Sequence, residues 1–333
     1  MPLTAALSIL NEMAQPRLVS IVTPVLNGAS SIKRSLASVA AQTYPNIEHV
    51  VIDGGSRDGT AAIVRSFVGP HAITLVSEPD RGMYDAINKG LALTKGDVLA
   101  YLNSDDVYLP WSVDLAVATL NAGRDFAYGD LGMVQGRVAD SFMPQFYPPF
   151  DLNRYTYFRR LGQPTVFWRR STYERLGGFD DSYQLIGDCE YWLRAAAAGS
   201  SFAHTREVMA IQFDHPDTLR TTHGEELKKE FERLRATYRG AAGPPAPLGA
   251  MRAAMDWRLR MLRFYGGFFS PHPRGWARFI AWSKQHQMAP KAQVLRCLFP
   301  SSTWPRPLSF TDATRFYDAL QRSLSADSSW DGA

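Results

Sequence analysis

The feature that most constrains the fold is a fourfold alternation of short apolar runs with segments of helical periodicity, between residues 18 and 102. Each apolar run is rich in Val, Ile and Leu, which is typical of a buried strand. The segments between the runs repeat apolar residues every three or four positions, as helices do. Strands that alternate with helices form a parallel sheet covered by helices on both faces. The sequence therefore predicts an α/β fold with parallel strands at 18–24, 47–52, 73–76 and 98–102.

Beyond residue 106 the pattern is less regular, although it continues to about residue 213. Further strands are predicted at 126–129, 165–168 and 208–213, and further helices at 171–176 and 189–198. After residue 223 basic helices follow, and the Pro/Gly/Ala-rich segment 240–247 interrupts them. We therefore predict an N-terminal extension at 1–17, an α/β domain at 18–224 and a basic helical region at 225–333.

Composition excludes several classes of protein. The chain of 333 residues is 45% hydrophobic and 12% aromatic, which is enough for a packed core and unlike a disordered chain. Cys189 and Cys297 are its two cysteines, too few for a disulfide framework or a cysteine-based metal site, and they fit a reducing cytoplasm. Residues 1–17 do not resemble a signal peptide, and no apolar run is long enough to span a membrane. We therefore expect a cytoplasmic protein.

Polar clusters follow the four strands at their carboxyl ends, at 23–28, 53–60, 78–88 and 103–106. In a parallel sheet these ends share one edge, where open α/β folds bind their ligands. The adjacent carboxylates of Asp105 and Asp106 suit Mg²⁺ or Mn²⁺ that holds a diphosphate, or they could cap the following helix. Neither a G-x-G-x-x-G string at the first turn nor a P-loop string occurs, which argues against a dinucleotide-linked dehydrogenase.

The chain resembles the inverting glycosyltransferases of family 2 in four motifs that occur in the family's order and spacing. They are TPVLN at 23–27, DGGSRDGT at 53–60, EPDRGMYDAINKG at 78–90 and YLNSDD at 101–106. The third motif is most similar to bacterial members that assemble exopolysaccharide, colanic-acid-like or O-antigen repeat units. The resemblance implies the GT-A fold and a nucleotide-diphosphate sugar as donor, with a donor half at 18–106 and an acceptor half at 107–224.

The resemblance also implies roles for residues at the strand ends. Asp53 would contact the nucleotide base, although Asp-Gly-Gly is also common turn chemistry. Arg81 would pair with a phosphate. Asp85 would lie near the donor, or it could form only an i,i+4 pair with Lys89 on a solvated surface. The implied donor and nucleotide residues are Pro24, Asn27, Asp53, Asp80, Arg81, Asp85, Asn88, Asn103 and Ser104.

The DxD motif of the family corresponds to Asn103-Ser104-Asp105, so the first acid is replaced by an amide in this chain. The resemblance therefore implies Asp105 as the main ligand of Mg²⁺ or Mn²⁺, with Asp106 as a second or supporting ligand. The cation would hold the diphosphate of the donor.

An inverting transferase needs one general base that deprotonates the acceptor hydroxyl. The string GFDDSYQLIGDCEYWLR at 178–194 is similar to the family segment in which an acid pair opens a helix, and Asp188 takes the position of the usual base. Glu190 is the second candidate, but the two residues point about 200° apart on a helix, so one of them would face the acceptor. Asp188 could also be only the N-cap of this helix. Gln163 is the implied acceptor contact.

Two features after the last predicted strand remain open. In some enzymes of the fold that the resemblance implies, a histidine here completes the metal site, so His215 or His223 could do so, although a lone loop histidine is more often polar surface. Residues 220–297 carry fifteen basic and five acidic side chains, a formal charge of +10, and 252–269 interleaves Arg with Met, Trp, Leu and Phe. Such a helix suits an anionic membrane surface near a polyprenyl-diphosphate-linked acceptor, or it could pack on the catalytic domain. Nucleic-acid binding is not expected, because no recognised motif accompanies the charge.

We therefore expect a metal-dependent inverting glycosyltransferase of bacterial surface polysaccharide synthesis, cytoplasmic or peripheral on the inner face of the plasma membrane. It would transfer a sugar from a nucleotide diphosphate to a glycan or lipid-linked acceptor. One alternative is a sugar-nucleotide nucleotidyltransferase, but the loop TPVLNGASS lacks the glycines and basic residues that hold a triphosphate. A catalytically inactive scaffold that binds a nucleotide sugar is the other alternative, and Asn103 keeps it open.

Overall fold

The computed structural model describes residues 17–135, 143–145, 147, 149–152, 155–156, 161–214 and 223–238. Within these residues one sheet contains nine strands. They are β1 (Val19–Val25), β2 (Ile47–Asp53), β3 (Ile73–Ser77), β4 (Val98–Tyr101), β5 (Val107–Tyr108), β6 (Phe126–Gln135), β7 (Met143–Gln145), β8 (Phe167–Arg169) and β9 (Phe202–Asp214). Their order in the sheet is β3-β2-β1-β4-β8-β6-β9-β5, and β7 pairs with β6.

The described helices lie between these strands and after the last one. They are α1 (Ile32–Ala40), α2 (Thr60–Ser66), α3 (Met83–Leu93), α4 (Ser112–Asn121), α5 (Arg170–Leu176), α6 (Gly187–Ala197) and α7 (Gly224–Tyr238). A short 3₁₀ helix at Gln163–Thr165 precedes β8. The helices predicted at 171–176 and 189–198 are confirmed, with starts one and two residues earlier than expected.

The first half of the sheet is parallel, as the alternation of strands and helices predicts. β1 pairs in parallel with β2 on one side and with β4 on the other, and β3 extends the sheet beyond β2. The second half is mixed, because β8 is antiparallel to both β4 and β6, whereas β6 and β9 are parallel. The predicted α/β fold is therefore confirmed, and the antiparallel insertion of β8 is a feature that the alternation does not reveal.

Two hydrophobic cores lie on opposite faces of the sheet. Successive side chains of a strand point to opposite faces. Accordingly, Ile21 and Phe167 belong to one core, whereas their neighbours Val22 and Trp168 belong to the other. Helices α3 and α6 cover the face that contains Val22, and α4 covers the opposite face. The prediction of helices on both faces is thus confirmed.

Helix α3 packs closely on β1 and β2 because it presents Gly90 to them. A Cβ atom on Gly90 would lie 2.4 Å from Val22 Cγ1 and 3.2 Å from Ile52 Cγ1. Atoms cannot approach so closely, so a larger residue would push the helix away from the sheet. Since α3 begins at Met83, this packing positions its first turn at the carboxyl edge of the parallel strands.

Helix α7 begins at the predicted domain boundary and packs on the 18–224 domain. Leu234 is 1% exposed and belongs to the same core as Trp168. His223 is exposed immediately before this helix, and its carbonyl oxygen accepts a hydrogen bond from Leu227 N–H. The division at residue 224 stays a prediction, but the first helix of the C-terminal region contacts the α/β domain directly.

Several predictions fall outside the described residues. They are the N-terminal extension apart from Arg17, His215, and the basic segment 252–269. Among the helices of the described residues, none is long and apolar enough to cross a membrane.

Candidate active site

The loops that follow β1 and β2 are hydrogen-bonded to each other. Asn27 adopts a left-handed φ of 52°, which asparagine tolerates better than most residues. Its N–H donates to Ser56 Oγ at 2.7 Å, and its Oδ1 accepts from Arg57 N–H at 3.0 Å. Gly28 N–H donates to Thr60 Oγ1 at 2.9 Å. Asn27 therefore shapes the first loop, and its contact with the nucleotide stays a prediction.

Pro24 lies inside β1, although a central strand normally excludes proline because its N–H is missing. The backbone polar groups of successive β1 residues point alternately to β4 and to β2. Val22 O accepts from Leu102 N–H on the side of β4, and Val25 O accepts from Gly54 N–H on the side of β2. Pro24 therefore faces the side of β4, as Val22 does. The pairing of β1 with β4 ends at Val22 and Tyr101, so the missing N–H of Pro24 removes no hydrogen bond between these two strands. The sheet opens between β1 and β4 at this point, at the edge where the sequence predicts the ligand.

Asp53 ends β2 and is fully buried. Its Oδ1 accepts from Ser56 N–H at 3.1 Å and its Oδ2 accepts from Ser77 Oγ at 2.6 Å. The interpretation as turn chemistry is thus confirmed, and contact with a nucleotide base stays a prediction. Asp80 lies beside the same turn, because a Cβ atom on Gly54 would be 2.5 Å from Asp80 Oδ2.

Arg81 connects the predicted donor loop to the loop that precedes α6. It is exposed, and its Nη2 lies 2.7 Å from Asp85 Oδ1 and 2.7 Å from Asp181 Oδ2. Burial alone would raise the pKa of Asp85, but hydrogen bonds from the backbone and guanidinium of Arg81, with its charge, lower that pKa overall. Lys89 also pairs with Asp85 at 3.4 Å, although Asp85 is only 8% exposed and not on a solvated surface. A phosphate bound to Arg81 would compete with Asp181.

Asn88 holds the loop between α5 and α6. Its Nδ2 donates to Phe179 O at 2.8 Å, and its Oδ1 accepts from Phe179 N–H at 2.8 Å. This role could not be predicted from the sequence, because the two residues are far apart in the chain. The predicted contact of Asn88 with the donor stays a prediction.

Asn103 and Gln163 meet where β4 ends. Asn103 Nδ2 donates to Gln163 Oε1 at 3.3 Å, and Gln163 Nε2 donates to Tyr101 O at 3.0 Å. Asn103 Oδ1 is buried and accepts no hydrogen bond from the described part of the chain. Ser104 packs on the first loop, since a Cβ atom on Gly28 would lie 3.2 Å from Ser104 Oγ. Gln163 thus supports the end of β4, and its contact with an acceptor stays a prediction.

The two carboxylates after β4 differ in exposure. Asp105 is partly exposed, and its carbonyl oxygen accepts from Arg34 Nη2 at 3.2 Å, whereas Asp106 is only 1% exposed. The described residues contain no cluster of three acidic, histidine or cysteine side chains that could enclose a metal. Mg²⁺ sites that act on phosphates usually take one or two carboxylates and complete the ligand set with phosphate oxygens. The partly exposed carboxylate of Asp105 and the amide oxygen of Asn103, which accepts no hydrogen bond from the described residues, fit such an open site. The burial of Asp106 favours the supporting role predicted for that residue.

Asp188 lies in the first turn of α6 beside the first turn of α3. The N-cap of α6 is Ile186, so the interpretation of Asp188 as the N-cap is wrong. Its Oδ1 accepts from the Tyr84 hydroxyl at 3.1 Å. Burial raises the pKa of Asp188, and hydrogen bonds from Cys189 N–H and the Tyr84 hydroxyl offset only part of this rise.

Three buried tyrosines lie near Asp188, and their position could not be predicted from the sequence. Burial and then the charge of Asp188 raise the pKa of Tyr84 and Tyr101 well above the usual value. Burial and the charges of Cys189 and Asp188 raise the pKa of Tyr155 well above the usual value too. All three therefore remain protonated phenols at neutral pH. Tyr84 and Tyr101 each lie within a recognised motif, which is the one signal that could have found them, whereas no local pattern marks Tyr155.

Glu190 points into a different network, in agreement with the predicted angle between the two acids. Its Oε1 accepts from Arg194 Nε at 2.9 Å and from the Tyr238 hydroxyl at 2.9 Å. The side chain is buried, with 6% exposure of the residue. Glu190 therefore joins α6 to α7, while Asp188 faces the tyrosines of α3 and β4.

Comparisons with known proteins agree with this architecture. The model of the family described as "Glycosyl transferase family 2" matches residues 20–177. A "PGL/p-HBAD biosynthesis glycosyltransferase" of Mycobacterium tuberculosis (strain ATCC 25177 / H37Ra) is 30% identical over 224 residues, which are 66% of this chain and 84% of that relative. "Glycosyltransferase AglE" of Haloferax volcanii is 28% identical over 223 residues, which are 64% of this chain and 70% of that relative.

Solved structures share the fold. TarS residues 1–349 of S. aureus in complex with UDP-GlcNAc gives a TM-score of 0.54 at 18% identity, over 77% of each chain. The mannosyltransferase PcManGT of Pyrobaculum calidifontis in complex with GDP-Man and Mn²⁺ gives 0.52 at 16% identity, over 100% of this chain and 95% of that one. These likenesses concern the fold and confirm the predicted GT-A architecture. With the family match and the mycobacterial relative, they lead to one conclusion: the chain belongs to glycosyltransferase family 2 and is a transferase enzyme.

Proposed function

We propose that this chain is a metal-dependent, inverting glycosyltransferase that transfers one sugar from a nucleotide-diphosphate sugar to a hydroxyl group of a glycan or lipid-linked acceptor. The observation that carries the proposal is the environment of Asp188, a carboxylate of raised pKa beside the first turn of α3. Asp53 is the last residue of β2 and Asp105 follows β4, in the same parallel half of the sheet. Direct displacement needs one general base and one source of positive charge. Asp188 would be the base, and a divalent cation held by Asp105 would supply the positive charge.

In the proposed reaction Asp188 accepts the proton of the acceptor hydroxyl as its oxygen attacks the anomeric carbon. The bond between that carbon and the diphosphate breaks on the opposite side, which inverts the configuration. A raised pKa makes the Asp188 carboxylate a stronger base. A divalent cation held by Asp105, with Asp106 or Asn103 in support, supplies positive charge to the leaving diphosphate when bound. Arg81 adds a second positive charge by exchanging Asp181 for a phosphate oxygen.

Two observations support Asp188 over Glu190 as the base. Glu190 pairs with Arg194 inside α6 and accepts a hydrogen bond from Tyr238 of α7, so proton transfer to it would weaken the ion pair with Arg194. Asp188 instead accepts from a neutral phenol, Tyr84, which can stay bound in both protonation states of the carboxyl group. We therefore assign the proton transfer to Asp188 and a structural role to Glu190.

The donor is proposed to be a nucleotide-diphosphate sugar, bound by the loops after β1, β2 and β4. Its support is the family membership and the two structural neighbours, which contain UDP-GlcNAc and GDP-Man with Mn²⁺. The proposed nucleotide pocket consists of Pro24, Asn27, Asp53 and Asp80, with Asp85, Asn88, Asn103 and Ser104 on the side of the diphosphate and the sugar.

For the acceptor we propose a glycan or a polyprenyl-diphosphate-linked sugar of bacterial surface polysaccharide synthesis, at the inner face of the plasma membrane. The mycobacterial relative named for PGL/p-HBAD biosynthesis supports a role in making a surface glycan. Gln163, beside Asn103, is the proposed acceptor contact. The +10 charge of residues 220–297 supports attachment of segment 252–269 to anionic lipid.

A thermal-shift panel of UDP, GDP, dTDP and CMP, each with and without Mn²⁺, tests the donor and metal proposals. A ligand at about 100 times its Kd stabilises the native state by about 2.7 kcal/mol. For a domain of this size we expect a rise in Tm of about 5–10 °C with one diphosphate in the presence of Mn²⁺. A rise of equal size without the metal would contradict metal dependence, and no rise with any diphosphate would contradict the donor class.

A Tyr84→Phe variant tests Asp188 through its pH dependence. The Tyr84 hydroxyl holds the pKa of Asp188 down, so its loss raises that pKa further. A general base works only when deprotonated, and therefore the acid limb of the kcat–pH profile should move to higher pH by about one unit. Tyr44→Phe is the matched control, because Tyr44 donates to Arg17 O and packs in the core on the opposite face. If the acid limb of Tyr84→Phe is unchanged, Asp188 is not the group whose titration controls kcat.

A further inference from the structure

A carboxylate of helix α7 binds the backbone directly in front of the helix that carries Asp188. Glu230 Oε1 accepts from Gln184 N–H at 2.7 Å, and Glu230 Oε2 accepts from Leu185 N–H at 3.0 Å and Ile186 N–H at 3.1 Å. The N-cap Ile186 has no side-chain oxygen and forms no side-chain cap hydrogen bond. Glu230 therefore satisfies backbone donors at the start of α6 from a position about 45 residues away in the chain.

Further contacts of α7 join it to the same segment. Arg233 Nη2 donates to Ser182 Oγ at 2.7 Å, and its guanidinium carbon lies 4.0 Å from the centre of the Tyr183 ring. The Tyr238 hydroxyl donates to Glu190 Oε1 at 2.9 Å. Helix α7 thus holds the chain on both sides of Asp188, at residues 182–186 and at residue 190.

We propose that Glu230 is a positioning residue for the reaction, which fixes the first turn of α6 so that the Asp188 carboxylate faces the acceptor hydroxyl. This inference rests on the proposed role of Asp188 as the base. Asp188 is two residues after Ile186, so a shift of the 184–186 backbone displaces its carboxylate directly. A misplacement of about 1 Å from a distant substitution can lower a rate by about 100-fold. The three hydrogen bonds of Glu230 go to residues 184–186, none of which is assigned to the donor, so donor binding should not depend on it.

The test compares Glu230→Gln with Glu226→Gln, an exposed glutamate one turn earlier in α7. Gln retains the size of the side chain, but one of its two terminal atoms becomes a donor that faces backbone N–H groups. We expect kcat of Glu230→Gln to fall about 10- to 100-fold with the donor KM within about twofold of the native value. Glu226→Gln should retain both constants, and Glu230→Asp, which retains the charge on a shorter side chain, should recover part of kcat.

Hydrogen exchange at the amides of 184–186 provides a readout that does not depend on activity. We expect faster exchange there in Glu230→Gln than in Glu226→Gln, with both variants folded. Faster exchange with an unchanged kcat would overturn the inference and leave the proposed base intact. A fall in kcat accompanied by a comparable rise in donor KM would also overturn the inference, since that pattern indicates that the whole active site has lost its structure. Full transfer by an Asp188→Asn variant would instead refute the proposed base, on which the inference rests.

Discussion

Replacing Asp188 with asparagine is expected to lower kcat by about 10²- to 10⁴-fold, the usual contribution of a general base. Asparagine has the same size and retains an oxygen that can accept from the Tyr84 hydroxyl, so the first turn of α6 should stay in place. Its amide cannot take up the proton of the acceptor. The measurement is transfer under saturating donor and acceptor, together with nucleotide-diphosphate binding by the same variant, which we expect to be unchanged.

Two further variants make this result specific. Asp114→Asn changes another first-turn aspartate, one in α4 that accepts from the Thr43 hydroxyl, and should retain native kcat. Glu190→Gln should lower the free energy of unfolding, because it weakens the bonds with Arg194, but the folded enzyme should retain transfer. Loss of transfer in Glu190→Gln alongside native kcat in Asp188→Asn would move the base to Glu190.

Replacing Asp105 with alanine is expected to abolish transfer and to remove the Mn²⁺-dependent part of the thermal stabilisation by the nucleotide diphosphate. A cation that neutralises the leaving diphosphate accounts for several kcal/mol of transition-state stabilisation, so a loss of about 10³-fold or more is expected. The fold should survive, because Asp105 is partly exposed and Arg34 contacts its backbone oxygen, which alanine retains. The measurements are transfer and Tm, each across a Mn²⁺ titration.

Asp97→Ala is the matched control for this variant. Asp97 is an exposed aspartate immediately before β4, whereas Asp105 follows the same strand at its other end. We expect native transfer and a native response to Mn²⁺ from Asp97→Ala. If Asp105→Ala retains full turnover, Asp105 is not a ligand of the metal. Loss of the native fold would be visible as a lower Tm in the absence of ligand.

The parallel half of the sheet could be predicted because its signals are local. Each of the strands β1 to β4 is a short apolar run, and the helices after β1, β2 and β3 repeat their apolar residues with helical spacing. The direction of β8 could not be predicted in this way. Phe167 and Trp168 indicate a buried strand, but a strand of three residues takes its direction from its neighbours β4 and β6.

In the candidate site as well, the acidic residues could be predicted from the sequence, whereas the residues that contact them could not. Asp53 and Asp105 could be recognised because carboxylates after apolar runs have no role in a core, and Asp188 because the segment around it resembles that of the family. Their environments could not be recognised. Nothing near Asn88 in the chain indicates that its amide holds Phe179, and nothing near Glu230 indicates that its carboxylate binds the backbone before α6.

The alternation of strands and helices, the shared edge of the strand ends and the acidic residues at that edge could all be predicted from the sequence alone. These follow from side-chain periodicity and from the cost of burying a charge, which act over a few residues. The packing of distant elements places Asp188 near Tyr84, Tyr101 and Tyr155, and it brings Glu190, which pairs with Arg194, to Tyr238. Two acids two positions apart in one helix differ in environment because their neighbours belong to elements that packing brings together. Burial raises the pKa of Asp188, whereas Arg194 and Tyr238 fix the direction of the Glu190 carboxylate.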